Sequence, residues 1–299
     1  MSVSLETKHR WFDLGAAAFE HTFPGLIASQ LGADAGPRYV CPLCDRALPK
    51  AAIHSGDLTA EHVPPDSLGG RAILLTCKEC NNISGTNLDA HARKRENILA
   101  ARKGQIEREL RVFFHYAGRK INARLVASTR GTFLKVVPKA NHPAVIAELQ
   151  STGIPSGTPL TIEFNGDRFR ELNANMSWFR AGFLALVAAF GYARSFDSAY
   201  QIVKRQLQNP GTTIIRCFTI DTPWDVPWWP WHLVDVLDPS AIGVLFGKYL
   251  LLYPCLGDVT LYDRLDADSR KGGPPRPLQL VPYEWKSPNP VFGGGLTDS

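Results

Sequence analysis

CPLC at 41–44, LTAEHVPPDSLGG at 58–70 and TCKECNN at 76–82 together decide how this chain folds. Each Cys-x-x-Cys turn places two thiolates on one side of a metal. Two such turns therefore supply the four soft ligands of a closed tetrahedral zinc site, here Cys41, Cys44, Cys77 and Cys80. A site of that kind is structural, because the free energy of metal binding folds a segment too short to build its own core. The 32 residues between the two turns exceed a plain zinc-ribbon gap, although a ribbon with an inserted loop that catalyses nothing remains an open alternative. Within that gap Glu61 stands beside His62, a hard-metal ligand type next to a candidate general base.

The order of these segments resembles the HNH endonucleases, in the branch where two CxxC pairs brace a ββα-metal fold. CPLCDRALPK (41–50), LTAEHVPPDSLGG (58–70) and LLTCKECNNISGTNLDAHARKR (74–95) carry the likeness, over residues 38–103. The resemblance implies that His62 deprotonates the attacking water and that Glu61 and Asn81 hold one divalent cation, with His91 a weaker candidate ligand. Magnesium or manganese suits those oxygen ligands, and the cation would neutralise the scissile phosphate and stabilise the leaving oxygen. One position departs from the family pattern: the asparagine usual five residues before the third cysteine is Ala72 here. Asn82, Asn87 and Asp89 stand open as its replacement.

The implied activity is hydrolysis of nucleic-acid phosphodiester bonds, DNA ahead of RNA, in a setting such as restriction or phage defence. A different class stands beside it: a non-catalytic, zinc-braced module that binds nucleic acid and whose C-terminal part engages a protein partner. Either reading needs a phosphate-binding surface. Arg93, Lys94, Arg95, Arg102 and Lys103 follow the second zinc turn on an expected helix over 83–103 and are the candidates. A solvated helix face is the bland alternative.

The 299 residues, 44% hydrophobic and 20% charged, are enough for a sizeable core, and the formal charge of +5 says little by itself about polyanions. Cys217 and Cys255 read as small buried residues of a reducing compartment. No secretory leader opens the chain, and the longest apolar run, at 183–190, falls short of a bilayer span, so a cytoplasmic protein without membrane contact is expected.

The expected organisation is an accessory helical arm over 1–34, the zinc module over 35–103, and a C-terminal α+β domain over 104–299. In the last, strand patterns at 119–139 and 159–165 precede an apolar helix over 176–195 and a second helix over 197–208. Strands at 212–220 and 241–253 follow, and the Pro/Gly-rich tail from Gly272 is expected to be an extended strap. An apolar helix on a mostly antiparallel sheet is the economical packing for this order. The tryptophan and proline run at 222–231 suits either base stacking or a loop pinned to the core by its indoles.

Overall fold

A computed structural model describes residues 3–103, 109–128, 131–164, 169–222, 226–227, 230–271 and 279–282. Along the chain run α1 (Leu5–Thr22), α2 (Leu26–Leu31), β1 (Tyr39–Val40), β2 (Ala47–Leu48), β3 (Leu58–Val63), β4 (Arg71–Cys77), α3 (Lys78–Ser84) and α4 (Ala90–Arg102). Then come β5 (Leu110–Tyr116), β6 (Arg119–Ser128), β7 (Gly131–Val136), α5 (Pro143–Thr152), β8 (Thr161–Phe164), α6 (Glu171–Phe190) and α7 (Tyr192–Ser195). The last part holds α8 (Gln201–Gln208), β9 (Thr219–Asp221), β10 (His232–Leu237), β11 (Ser240–Phe246), β12 (Tyr249–Tyr253), α9 (Leu261–Arg270) and β13 (Leu280–Pro282). All strand pairs among the described residues are antiparallel, and the class is α+β as expected.

The chain divides into two compact units, residues 1–92 with 171–299, and residues 93–170. This differs from the expected succession of arm, module and C-terminal domain. The second unit is an insertion, and α6 returns the chain to finish the body that residues 1–92 begin. The reason is apolar surface: α1 packs against β1 and β4, and α6, far away in sequence, packs against β3 and β4. Trp11, Phe12, Ala16 and Phe19 make one buried face of α1, with the Phe12 ring 6.1 Å from Tyr39 and the Phe19 ring 5.2 Å from Tyr192. The helix α1, expected as an accessory arm, thus contributes a face to the core.

The core helix α6 is buried nearly all round, which marks a helix with neighbours on every side. One side meets β3 and β4, and the other meets β11 and β12 of a five-stranded sheet ordered β13-β10-β11-β12-β9. Phe179 stacks on Tyr253 at 5.0 Å, and Trp178 lies 5.0 Å from Tyr249. Gly182 lets the helix come this close, since a Cβ there would stand 2.5 Å from the Tyr253 hydroxyl.

Three expected elements changed. The strand at 241–253 is the hairpin β11–β12, turned by Gly247 at φ 55 and Lys248, a two-residue turn that needs a left-handed first position. The strand at 212–220 shrinks to β9, because the Gln206 side-chain oxygen accepts the N–H groups of Ile214 and Ile215 at 2.7 and 2.8 Å in place of a strand partner. The helix over 176–195 breaks at Gly191, φ 70, into α6 and α7. Of the tail, Leu280–Pro282 pairs with β10, while residues 272–278 and 283–299 lie outside the described residues. So do Pro223, Trp224, Asp225, Trp228 and Trp229 of the tryptophan run, of which Trp231 is buried. Cys217 and Cys255 are free thiols, only half-buried.

The inserted unit is a four-stranded sheet ordered β7-β6-β5-β8. Leu110, Val112, Phe114, Ile121, Ala123 and Leu125 make its covered face, closed by Val145 and Leu149 of α5. The expected hairpin at 119–139 is β6–β7, although its turn residues Thr129 and Arg130 lie outside the described ones. Among the described residues no helix is long and apolar enough to cross a membrane.

Candidate active site

The two zinc turns meet. The sulfurs of Cys41, Cys44, Cys77 and Cys80 all lie within 4.8 Å of one another, with Cys44 and Cys77 3.6 Å apart. Zinc–sulfur bonds of about 2.3 Å in a tetrahedron put neighbouring sulfurs about 3.8 Å apart, so this donor set fits zinc in kind and in spacing. In the first turn Asp45 donates its N–H to the Cys41 carbonyl at 2.9 Å, and Cys41 donates to Arg46 at 2.9 Å. In the second, Cys77 caps α3, its sulfur accepting the Cys80 N–H at 3.4 Å, while its own N–H points at the Cys41 sulfur at 3.4 Å. Donors aimed at sulfur favour the thiolate form that a metal needs. Among the described residues no other three His, Cys, Asp or Glu side chains converge in this way. His91 lies half-buried on α4.

Between the cysteine pairs, β3 and β4 form the hairpin and α3 closes the ββα unit. The helix starts at Lys78, earlier than expected, and passes through one π turn over Gly85–Asp89 into α4. The turn joining the strands needs its glycines. Gly69 sits at φ 82, and a Cβ on Gly70 would fall 1.5 Å from the Pro64 carbonyl oxygen. The register shifts between Glu61, opposite Leu74, and His62, opposite Ala72, leaving Ile73 as the extra residue. Such a bulge re-aims side chains. Glu61 turns into the core at 4% exposure, whereas His62 stays 29% exposed, with its Nε2 3.8 Å from an Asp66 carboxylate oxygen.

Asn81, on α3, reaches back to β3. Its amide nitrogen donates to Thr59 Oγ1 at 2.9 Å and to the Ala60 carbonyl at 3.3 Å, which leaves Oδ1 as a spare acceptor. Thus α3 is tied to the strand one residue before Glu61 and two before His62.

Glu61 itself is held differently from the expectation of a ligand facing an open cation position. Arg180 of α6 grips it with both ends of its guanidinium, Nη1 to Oε1 at 2.9 Å and Nη2 to Oε2 at 2.7 Å, and Thr76 adds a 2.8 Å hydrogen bond to Oε2. Both side chains of the pair are 4% exposed. Burial works against the Arg180 charge, but Glu61, together with Asp89 and Cys41, more than offsets it, so the guanidinium pKa is raised. A second carboxyl, Asp89, joins from the π turn. It accepts a 2.7 Å hydrogen bond from Ser177, and desolvation raises its pKa to about 6 against the pull of Arg180. Of the three candidates for the role missing at Ala72, Asp89 is the one this network engages, while Asn82 and Asn87 are exposed.

Sequence reading missed Arg180. The only signal was a cation one turn inside an apolar helix, which is costly without a buried anion to meet it. It also misplaced Arg95, which is 5% exposed and bonded to Glu96 at 3.1 Å. Ala92, Arg95, Ile98 and Ala101 recur every three residues on the buried face of α4, so this arginine cannot meet a phosphate as it stands. Arg102 and Lys103 are exposed, and Arg93 and Lys94 half-buried.

Residues 41–97 match the family model of the HNH endonucleases. No curated protein and no solved structure matches the chain. The matched stretch holds the four cysteines, the hairpin with His62, and Asn81; Arg180 lies outside it. A match of this kind supports nuclease-type function in general.

Zinc analysis of the purified protein is expected to find about one ion per chain, and Cys80→Ser should lower both zinc content and folded yield. A folded, zinc-free preparation of the parent chain is the opposing result. Arg180→Met strands a buried carboxylate and should cost about 3–5 kcal/mol in urea unfolding, where a loss under about 1 kcal/mol would show the pair to be open in solution. Asp89 has a pKa raised above its unfolded value of 3.8, so its contribution to stability is full below that value and is lost as pH rises through about 6. Asp89→Asn, which keeps an oxygen for Ser177, should flatten the stability profile across that window, and an unaltered profile would assign the slope to another group.

Proposed function

We propose that this chain is a metal-dependent endonuclease that cuts DNA, with His62 as the general base. The observation that carries this reading is the bulge at Glu61/His62, which keeps the imidazole accessible on a strand braced by the cysteine cluster and by Asn81. His62 takes the proton of the attacking water, with an Asp66 carboxylate oxygen 3.8 Å from its Nε2. A divalent cation, magnesium or manganese, would supply Lewis-acid stabilisation of the phosphate and the leaving oxygen. Asn81 Oδ1 and the Glu61 carboxylate would be its oxygen donors. Glu61 serves only by sharing or yielding the grip of Arg180, since Oε2 already accepts two hydrogen bonds and Oε1 one. Arg93, Lys94, Arg102 and Lys103 contact phosphate, and Arg95 is withdrawn from that set. Restriction or phage defence is the setting that an enzyme of this class suits.

The closed Glu61–Arg180 pair favours a second reading, a zinc-braced module that binds nucleic acid without cutting it. One experiment separates the two: plasmid and single-stranded DNA incubated with magnesium or manganese, with the parent chain and with His62→Ala. The substitution should keep zinc content and DNA affinity and slow cleavage by about a hundredfold to ten-thousandfold. Equal metal-dependent cleavage by His62→Ala would falsify the assignment of the base. Binding without cleavage by the parent, under every metal tried, supports the second reading.

A further inference from the structure

The formal charge of +5 conceals a division between the two units. Residues 93–170 carry fifteen Lys and Arg against six Asp and Glu, a net +9, which leaves eighteen against twenty-two, a net −4, for the rest. Basic character at this density belongs to a surface that meets a polyanion. The helix α4 accounts for only part of it.

The rest is on the sheet. One face of β5–β8 is covered by α5; the opposite face is open. On that open face Arg111 stands directly opposite Arg124, and Arg124 opposite Lys135, so three cations line up across three strands. Like charges in cross-strand register oppose folding and need a counter-charge. Glu109 supplies a part, 2.6 Å from Arg124 and 3.9 Å from Lys135, while Arg111 has no carboxylate partner among the described residues. Aromatic rings flank the row. Phe133 is 47% exposed on β7, and Phe113 on β5 lies 4.0 Å beneath the Lys120 ammonium.

We propose that this open sheet face binds a single strand of nucleic acid, with Arg111, Arg124 and Lys135 on the phosphates and Phe133 under a base. It deepens the nuclease reading, on which it rests for the substrate class. The exposed Phe133 ring favours a single strand over a duplex, because only unstacked bases offer their faces to a side chain on a sheet. The cations alone would serve either form. The face therefore feeds or retains strand ends and unpaired segments, a role separate from the chemistry at His62.

The test uses the full chain carrying His62→Ala, without added magnesium or manganese, and fluorescence anisotropy of a labelled oligothymidylate and of a duplex of equal length over a range of salt. Arg111→Gln with Lys135→Gln should weaken oligothymidylate binding at least about tenfold and lower the slope of log affinity on log salt by about 1.4, at about 0.7 per phosphate contact. Phe133→Ser should weaken oligothymidylate binding about fivefold or more, by loss of stacking, with the salt slope and duplex affinity unchanged. All these positions are exposed, so melting temperature should hold. Parent-like oligothymidylate binding by both variants overturns the proposal, and so does a Phe133→Ser loss as large on the duplex as on the single strand. Failure of the nuclease reading is told apart by the chain with His62 intact: it would cleave nothing, while the anisotropy comparison would read the same.

Discussion

The Glu61–Arg180 pair is the contact on which the site depends, because it couples two segments 119 residues apart at the point where catalytic chemistry is proposed. A buried ion pair is weak evidence of stability: desolvating two charges costs nearly as much as their attraction returns. Its effect lies in what it forbids. Any packing of α6 on the hairpin that shifts the helix by a residue strands both charges in the core, and the penalty for each is several kcal/mol. The pair therefore fixes the register of α6 against β3, and with it the direction in which the bulge points Glu61 and His62. It also divides the labour between two adjacent residues. Glu61 is withdrawn into the core and His62 is left at the surface.

The cysteine cluster acts at the other end of the same hairpin. β3 and β4 pair over six or seven residues, and an isolated two-stranded hairpin of that size is marginal in water. Cys77 ends β4 and caps α3, so a metal held there fixes strand and helix together. The Asn81 amide then ties that helix to Thr59 and Ala60. Cysteine cluster, amide and ion pair brace the hairpin at successive positions, and the side chain left outside the bracing is His62.

Much of this was legible in the chain because the ligands are local. Two CxxC turns, the Glu61-His62 pair and the Gly69-Gly70 turn are short-range patterns, and each has a single economical explanation. Arg180 was not legible, since its partner is remote in sequence and an arginine in an apolar helix does not say which anion it meets. Arg95 was misread for the converse reason: charge was weighed and periodicity was not, although Ala92, Ile98 and Ala101 place it on the buried face. The hairpin at Gly247 was lost inside a run of apolar residues, where strand propensity is equally high on both sides of the turn. The first helix was undervalued because the aromatic residues it covers, Tyr39 and Tyr192, lie in two widely separated segments.

Net charge over the whole chain hides the most consequential asymmetry. At +5 the protein looks indifferent to polyanions, yet the inserted unit alone carries +9 and the remainder −4. A polyanion is thus attracted to the insertion and repelled by the body that holds His62, except where Lys and Arg are locally concentrated. Screening at physiological salt limits such fields to about 8 Å, so the excess charge acts on a polyanion only close to the insertion's own surface. The proposed capture on the insertion and the proposed chemistry at His62 are then separable steps with different salt dependence. Capture of that kind weakens steeply as salt rises, whereas the proton transfer proposed for His62, once a substrate is in place, rests on local geometry that salt does not reach.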